Sequence, residues 1–197
     1  MTDTGQSAAS SDAEPPQPTP APDVQLTVQR ACAVSDLPDD AQLASWVRAA
    51  IAHGAAEPRR RAAVTLRIVD DAEGAALNQR YRSKPGPTNV LSFPFEQPAG
   101  LPAEVLSELQ SSLDAELGDL VICAPVLRRE ATAQGKTLAA HTAHLVVHGT
   151  LHLLGYDHIE PAEADRMEAL ETAILTGLGF STPYEVPEEP HDERSSA

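Results

Sequence analysis

Between Val24 and Arg30 every second residue is apolar (Val24, Leu26, Val28), a period of two that predicts a half-buried strand. The period then becomes helical. Leu43, Trp46, Val47, Ala50 and Ile51 share one stripe, Asp39 and Gln42 have capping-box spacing ahead of it, and Gly54 supplies a stop. Val64 to Val69 returns to alternation as a second strand. Asp70 and Glu73 predict another capping box, opening a helix through Leu77 towards Arg82, which Lys84-Pro85-Gly86-Pro87-Thr88 breaks. Asn89 to Phe95 reads as a third strand, and Pro94 assigns its end to a sheet edge or exit. Residues 97–116 read as a loop with a short helical segment around Val105 to Leu109.

Asp119 to Cys123 is apolar enough for a buried fourth strand, and Ala124 to Gln134 suggests a helix closed by Gly135. Thr137 starts the next helix, which Leu145, Val146, Val147 and Leu151 mark as largely buried. Glu160-Pro161 opens a last one, with Met167, Leu170, Ile174 and Leu178 as its apolar stripe. Four strands and five to six helices in mixed order predict one α+β (mixed α/β) domain, with a small four-stranded mixed sheet packed by helices. That domain is expected over 23–182. Residues 1–22 and 183–197 read as disordered acidic, proline-rich tails. No internal repeat is present.

Charge changes this picture only through its location. The net charge is -15, yet residues 1–40 and 159–197 hold seventeen of the 29 acids and three of the 14 bases. The stretch 41–158 is therefore close to neutral, with basic clusters at Arg59-Arg60-Arg61, Arg80/Arg82/Lys84 and Arg128/Arg129/Lys136. A local patch is what binds phosphate, so the global charge excludes no nucleic acid. Cys32 and Cys123 form neither a disulfide framework nor a C-x-x-C pair, which predicts a reducing compartment. The N-terminus has no secretory pattern and no stretch is apolar enough to span a membrane, so a cytoplasmic protein is expected.

The densest chemistry lies in His148-Gly149-Thr150-Leu151-His152-Leu153-Leu154-Gly155-Tyr156-Asp157-His158, an H-x-x-x-H-x-x-G-x-x-H pattern. Residues four apart lie on one helix face, so His148 and His152 can aim two imidazoles at one point. Gly155 can adopt the left-handed conformation that ends a helix and returns the chain with His158 as a third ligand. Three imidazoles with a fourth position open describe a catalytic zinc site, one ion per chain, rather than a closed structural one. Imidazoles also suit nickel and copper. His141 and His144 precede the motif on nearly the same face and are expected to pack or support rather than ligate.

The spacing matches the metalloprotease signature H-E-x-x-H-x-x-G-x-x-H, except that Gly149 stands where those enzymes carry their general-base glutamate. Peptide hydrolysis is disfavoured while metal binding is untouched. Phosphodiester cleavage fits what remains: a bound metal polarises a phosphoryl oxygen, and RNA carries its own nucleophile in the 2′-hydroxyl. An arginine fork suits the charge that develops, and Arg82, ahead of the Pro-Gly-Pro loop, is the candidate catalytic arginine.

These residues carry a resemblance. HGTLHLLGYDH resembles the signature of the YbeY family of bacterial metal-dependent endoribonucleases. So do Leu77-Asn78-Gln79-Arg80-Tyr81-Arg82 with Pro87-Thr88-Asn89-Val90-Leu91-Ser92-Phe93-Pro94, and Leu117-Gly118-Asp119-Leu120-Val121-Ile122. The likeness spans roughly residues 24–184, and its one variation is a Pro85-Gly86 insert. It implies His148, His152 and His158 as zinc ligands and Arg82 as an arginine needed for activity. It also implies single-strand-specific cleavage of RNA, a role in forming the 3′ end of 16S rRNA on the small ribosomal subunit, and ribosome quality control. DNA and membranes are not expected partners. Two other readings stand beside it: a ribosome-associated factor with a structural metal, and a metallopeptidase, which Gly149 weakens.

Overall fold

The computed structural model describes residues 22–184. The elements follow as β1 (Asp23–Arg30), α1 (Asp40–Gly54), β2 (Arg61–Val69), α2 (Asp71–Arg82), β3 (Val90–Pro94), α3 (Ala103–Leu113), β4 (Glu116–Cys123), α4 (Ala124–Ala133), α5 (Leu138–Leu153) and α6 (Pro161–Gly177). The sheet runs β1-β2-β4-β3. β1, β2 and β4 are parallel, and β3 is antiparallel to β4 on the edge that Pro94 requires. This is the α+β domain with a small mixed sheet that the patterning predicts. Apart from Pro22, Pro183 and Tyr184, the expected tails lie outside the described residues.

Alternation along the inner strands divides the apolar side chains between two faces. Val64, Leu66 and Ile68 of β2 and Leu120 and Ile122 of β4 enter the main core with α1, α5 and α6. Val69, Leu91, Val121 and Cys123 form a smaller cluster with Val126, backed by Leu77 and Phe93. Helix α5 is the hub, packing on α1, α4, α6, β3 and β4. Its Val146, Val147 and Leu151 are completely buried.

Three expectations are corrected. The capping box at Asp39 forms with Gln42 in both directions, but the one at Asp70 is half made. The Glu73 N–H donates to Asp70 at 2.9 Å, while the Glu73 carboxylate pairs with Arg67 of β2 at 2.7 Å. A charged guanidinium is a stronger partner for a carboxylate than a neutral N–H. The segment read as a loop with a short helical piece is an eleven-residue helix, α3, with no buried residue. Its residues are good helix formers, so the helix extends past Val105–Leu109 although none of its apolar side chains is fully buried. Strand β4 begins at Glu116 rather than Asp119, because Glu116 pairs with Ala63 and Gly118 with Pro94 of the flanking strands.

Gly149 lies where α5 crosses β3 and β4. A Cβ there would meet Leu120 Cδ2 at 2.8 Å, Ser92 Oγ at 3.2 Å and Val90 Cγ2 at 3.4 Å. Glycine suits this close helix–sheet approach, and a protease-type glutamate would force Leu120 and its neighbours to shift. Gly149→Glu would overpack this contact and bury a carboxylate, costing about 3 kcal/mol or more. The expected result is a melting temperature lower by roughly 10 °C, with no metal-dependent peptidase gained. A variant that melts like the parent would show that the helix can lift off the sheet.

Candidate metal centre

Local sequence builds most of this site. His148 and His152 stand one turn apart on the last turns of α5, and Leu154 caps the helix. Gly155 follows at φ +92°, where its N–H bonds His152 O and the Tyr156 N–H bonds Leu151 O. Those paired bonds are a Schellman turn, which satisfies the final carbonyls and reverses the chain. Tyr156 anchors the turn by donating its hydroxyl to Gly54 O at 3.0 Å. The chain thus returns His158 beside the helix, as the motif requires.

The three histidines come together, with one ligand atom from each lying within 4.8 Å of the others. The Nε2 atoms of His148 and His152 are 3.1 Å apart. Two nitrogens bound tetrahedrally at ~2.05 Å from zinc would be about 3.3 Å apart, so this pair is already spaced for it. The opposite nitrogens are both engaged. His152 Nδ1 donates to Tyr156 O at 2.8 Å, and His148 Nδ1 donates to Glu171 Oε1 at 2.7 Å. Each bond fixes the tautomer that leaves an Nε2 lone pair facing inward, which is how metal-bound histidines are commonly held. Burial, and then the neighbouring His148, push the His152 pKa down, keeping it in the neutral form that a metal requires. The donor set fits a divalent cation.

Glu171 is the residue that sequence reading missed. It lies on α6 among Met167, Ile174 and Leu175, and it is completely buried. Burial alone would push its carboxyl up. Hydrogen bonds from His144, His148 and Tyr184 outweigh that and bring it down to about 2, so it stays ionised. Its available signal is an acid at helical spacing inside an apolar stripe. His144 reaches Glu171 Oε2 at 3.3 Å, and the Tyr184 hydroxyl donates to the same oxygen. His141 bonds Glu130 at 2.8 Å, and Glu130 also accepts from Asn89. His141 and His144 therefore sit outside the three-histidine cluster, His144 supporting it through Glu171.

Glu171→Gln keeps the shape and removes the charge that holds the His148 tautomer. Loss of such a support typically costs 10- to 100-fold in metal affinity. Competition with a chelator should read a drop of about that size. An unchanged affinity would mean that His148 is oriented by packing alone.

Arg82, the last residue of α2, lines the same cleft as His148, His152 and His158, a hollow of about 860 Å³ whose floor is β3. The basic clusters divide by what they touch. Arg128 pairs with Asp36 and Arg129 with Asp71, whereas Lys136 donates to Pro183 O. Arg80, Arg82 and Lys84 make no ion pair among the described residues, and of the three Arg82 lines the histidine cleft. No described helix is long and apolar enough to cross a membrane.

Comparison with known proteins places the chain. A family model described as Endoribonuclease YbeY matches residues 30–179. Endoribonuclease YbeY of Methylococcus capsulatus is 54% identical over 161 residues, covering 82% of this chain and 95% of the relative. The protein of that name from Alkalilimnicola ehrlichii is 52% identical over 170 residues, covering 86% and 96%. The solution structure of TM1509 from Thermotoga maritima aligns at 17% identity and a TM-score of 0.46, over 82% of this chain and 99% of that one. A family match over most of the domain, with relatives more than half identical along nearly their whole length, establishes that this chain belongs to the YbeY endoribonuclease family.

Proposed function

We propose that this protein is a zinc-dependent endoribonuclease that cleaves single-stranded RNA, with His148, His152 and His158 as the metal ligands. The observation that carries the reading is the convergence of three imidazoles on a cleft that also holds Arg82. The endoribonuclease relatives supply the substrate class. The cellular role that follows from the family resemblance is maturation of the 16S rRNA 3′ end on the small ribosomal subunit and ribosome quality control, in the cytoplasm.

A divalent cation in this site supplies Lewis acidity towards a phosphoryl oxygen. The chain's own groups do the rest. Glu171 and the Tyr156 carbonyl hold His148 and His152 in their ligating tautomers. Arg82, which lines the cleft, would offer a planar fork to the phosphoryl oxygens as their charge grows. The substrate's 2′-hydroxyl is an internal nucleophile, so the absence of a glutamate at position 149 leaves RNA cleavage intact.

Titrating metal into the purified protein, with single-stranded RNA, duplex RNA and casein as parallel substrates, tests this. Cleavage should appear with about one equivalent of zinc, favour single strands and leave casein whole. Stoichiometric metal without cleavage would favour a binding factor with a structural metal. Chelator-sensitive cleavage of casein would favour a peptidase.

A further inference from the structure

Aromatic residues make up only 4% of the chain, so an aromatic ring left in water has to be accounted for. Tyr81 is 54% exposed, the most open aromatic side chain among the described residues. It lines the cleft that holds the three histidines and Arg82. Its position is constrained. Phe93 of β3 meets it edge-on with ring centroids 4.8 Å apart, and the Arg80 guanidinium lies 5.3 Å from its centroid. The ring is thus held by Phe93 at its edge and Arg80 over it, and still stands more than half exposed. Across the primary structure, at the far end of the motif, Ile159 follows His158 directly and is 78% exposed on the same cleft. Two large exposed side chains, one from α2 and one from the turn after α5, line one cleft with Arg82 and the three histidines.

We infer that Tyr81 and Ile159 form a nucleobase subsite, in which an unpaired base next to the scissile phosphate stacks on Tyr81 and packs against Ile159. The inference deepens the endoribonuclease reading and rests on it. A base has two apolar faces, a polar edge and a phosphate on each side. The cleft offers a fixed ring for the face and Arg82 for a flanking phosphate. A held ring loses little side-chain entropy on stacking, and stacking accepts any base because every base has a π-face. It also discriminates by strandedness, since in a duplex both faces of each base are already covered by neighbours. The preference for single strands then resides at Tyr81 rather than at the metal.

Binding of a short single-stranded oligoribonucleotide to the zinc-loaded full chain tests the subsite. A companion series carries one abasic nucleotide at successive positions. Tyr81→Ala should weaken binding by roughly 5- to 150-fold. Tyr81→Leu, which keeps apolar bulk against Phe93, should lose most of the same affinity, and Tyr81→Phe should recover most of it. One abasic position should weaken the parent as much as the substitution does, and should cost Tyr81→Leu little more. Zinc content should match the parent in all three variants. Equal RNA affinity in the parent and Tyr81→Leu would overturn the subsite while leaving the endoribonuclease reading in place. A parent that neither binds nor cleaves RNA would overturn both. Equal losses for single-stranded and duplex RNA would also overturn it, because they would make Tyr81 a general contact rather than a base platform.

Discussion

Replacing His148 and His152 together with alanine should abolish both metal retention and RNA cleavage. The two imidazoles present their Nε2 atoms 3.1 Å apart, and His158, the remaining member, is exposed on a turn. One exposed histidine cannot hold a divalent ion against a chelator. The parent should carry about one zinc per chain and the double variant almost none, measured by elemental analysis after dialysis. Lewis-acid assistance is worth several kcal/mol of barrier, so cleavage should fall by at least about a thousandfold. Folding should survive, because both side chains are only partly buried and line the cleft, while Val146, Val147, Leu151 and Leu153 of α5 fill the core. Circular dichroism and melting of the metal-free parent provide the matched control. Zinc retained at one equivalent in the double variant would remove these residues from the ligand set.

Arg82→Ala should reduce turnover by on the order of 100- to 1000-fold, with zinc content unchanged. Arg82 shares the cleft with the histidines and makes no ion pair among the described residues. A donor that meets charge as it forms in a restricted site contributes that much to the rate. Lysine should rescue only in part, since it keeps the charge and loses the planar fork. A simple phosphate anchor would behave differently. It would weaken RNA affinity and flatten its salt dependence by about one counterion, while single-turnover cleavage with saturating RNA stayed near the parent's. Binding and single-turnover rates at matched salt separate the two. Unchanged single-turnover rates would leave Arg82 an anchor.

What the sequence determined by itself is what short-range geometry can express. Residues four apart must share a helix face, and Gly155 at φ +92° makes the turn that a side chain would resist, so the histidine cluster was legible as a motif. Periods of two and 3.6 likewise marked the inner strands and α1, α5 and α6, because those elements bury one or both faces. Helix α3 was under-read for the converse reason: it buries nothing. Its full extent follows from propensity, and its apolar Val105 and Leu109 stay exposed rather than entering the core.

Tertiary structure decided the rest, through contacts between distant segments. Glu171 counts among the acids of the C-terminal segment until α6 packs on α5 and puts its carboxylate 2.7 Å from His148 Nδ1. Gly149 reads only as a missing base until the crossing of α5 over β3 and β4 crowds the place of a Cβ with Leu120, Ser92 and Val90. Arg82 and Tyr81 precede the first histidine by more than sixty residues and reach the cleft because β3 is paired antiparallel to β4 beneath α5. The candidate ligands are set by spacing along one helix and its turn. The groups placed to orient them, and those proposed to meet the substrate, are set by how helices and strands far apart in the chain are stacked.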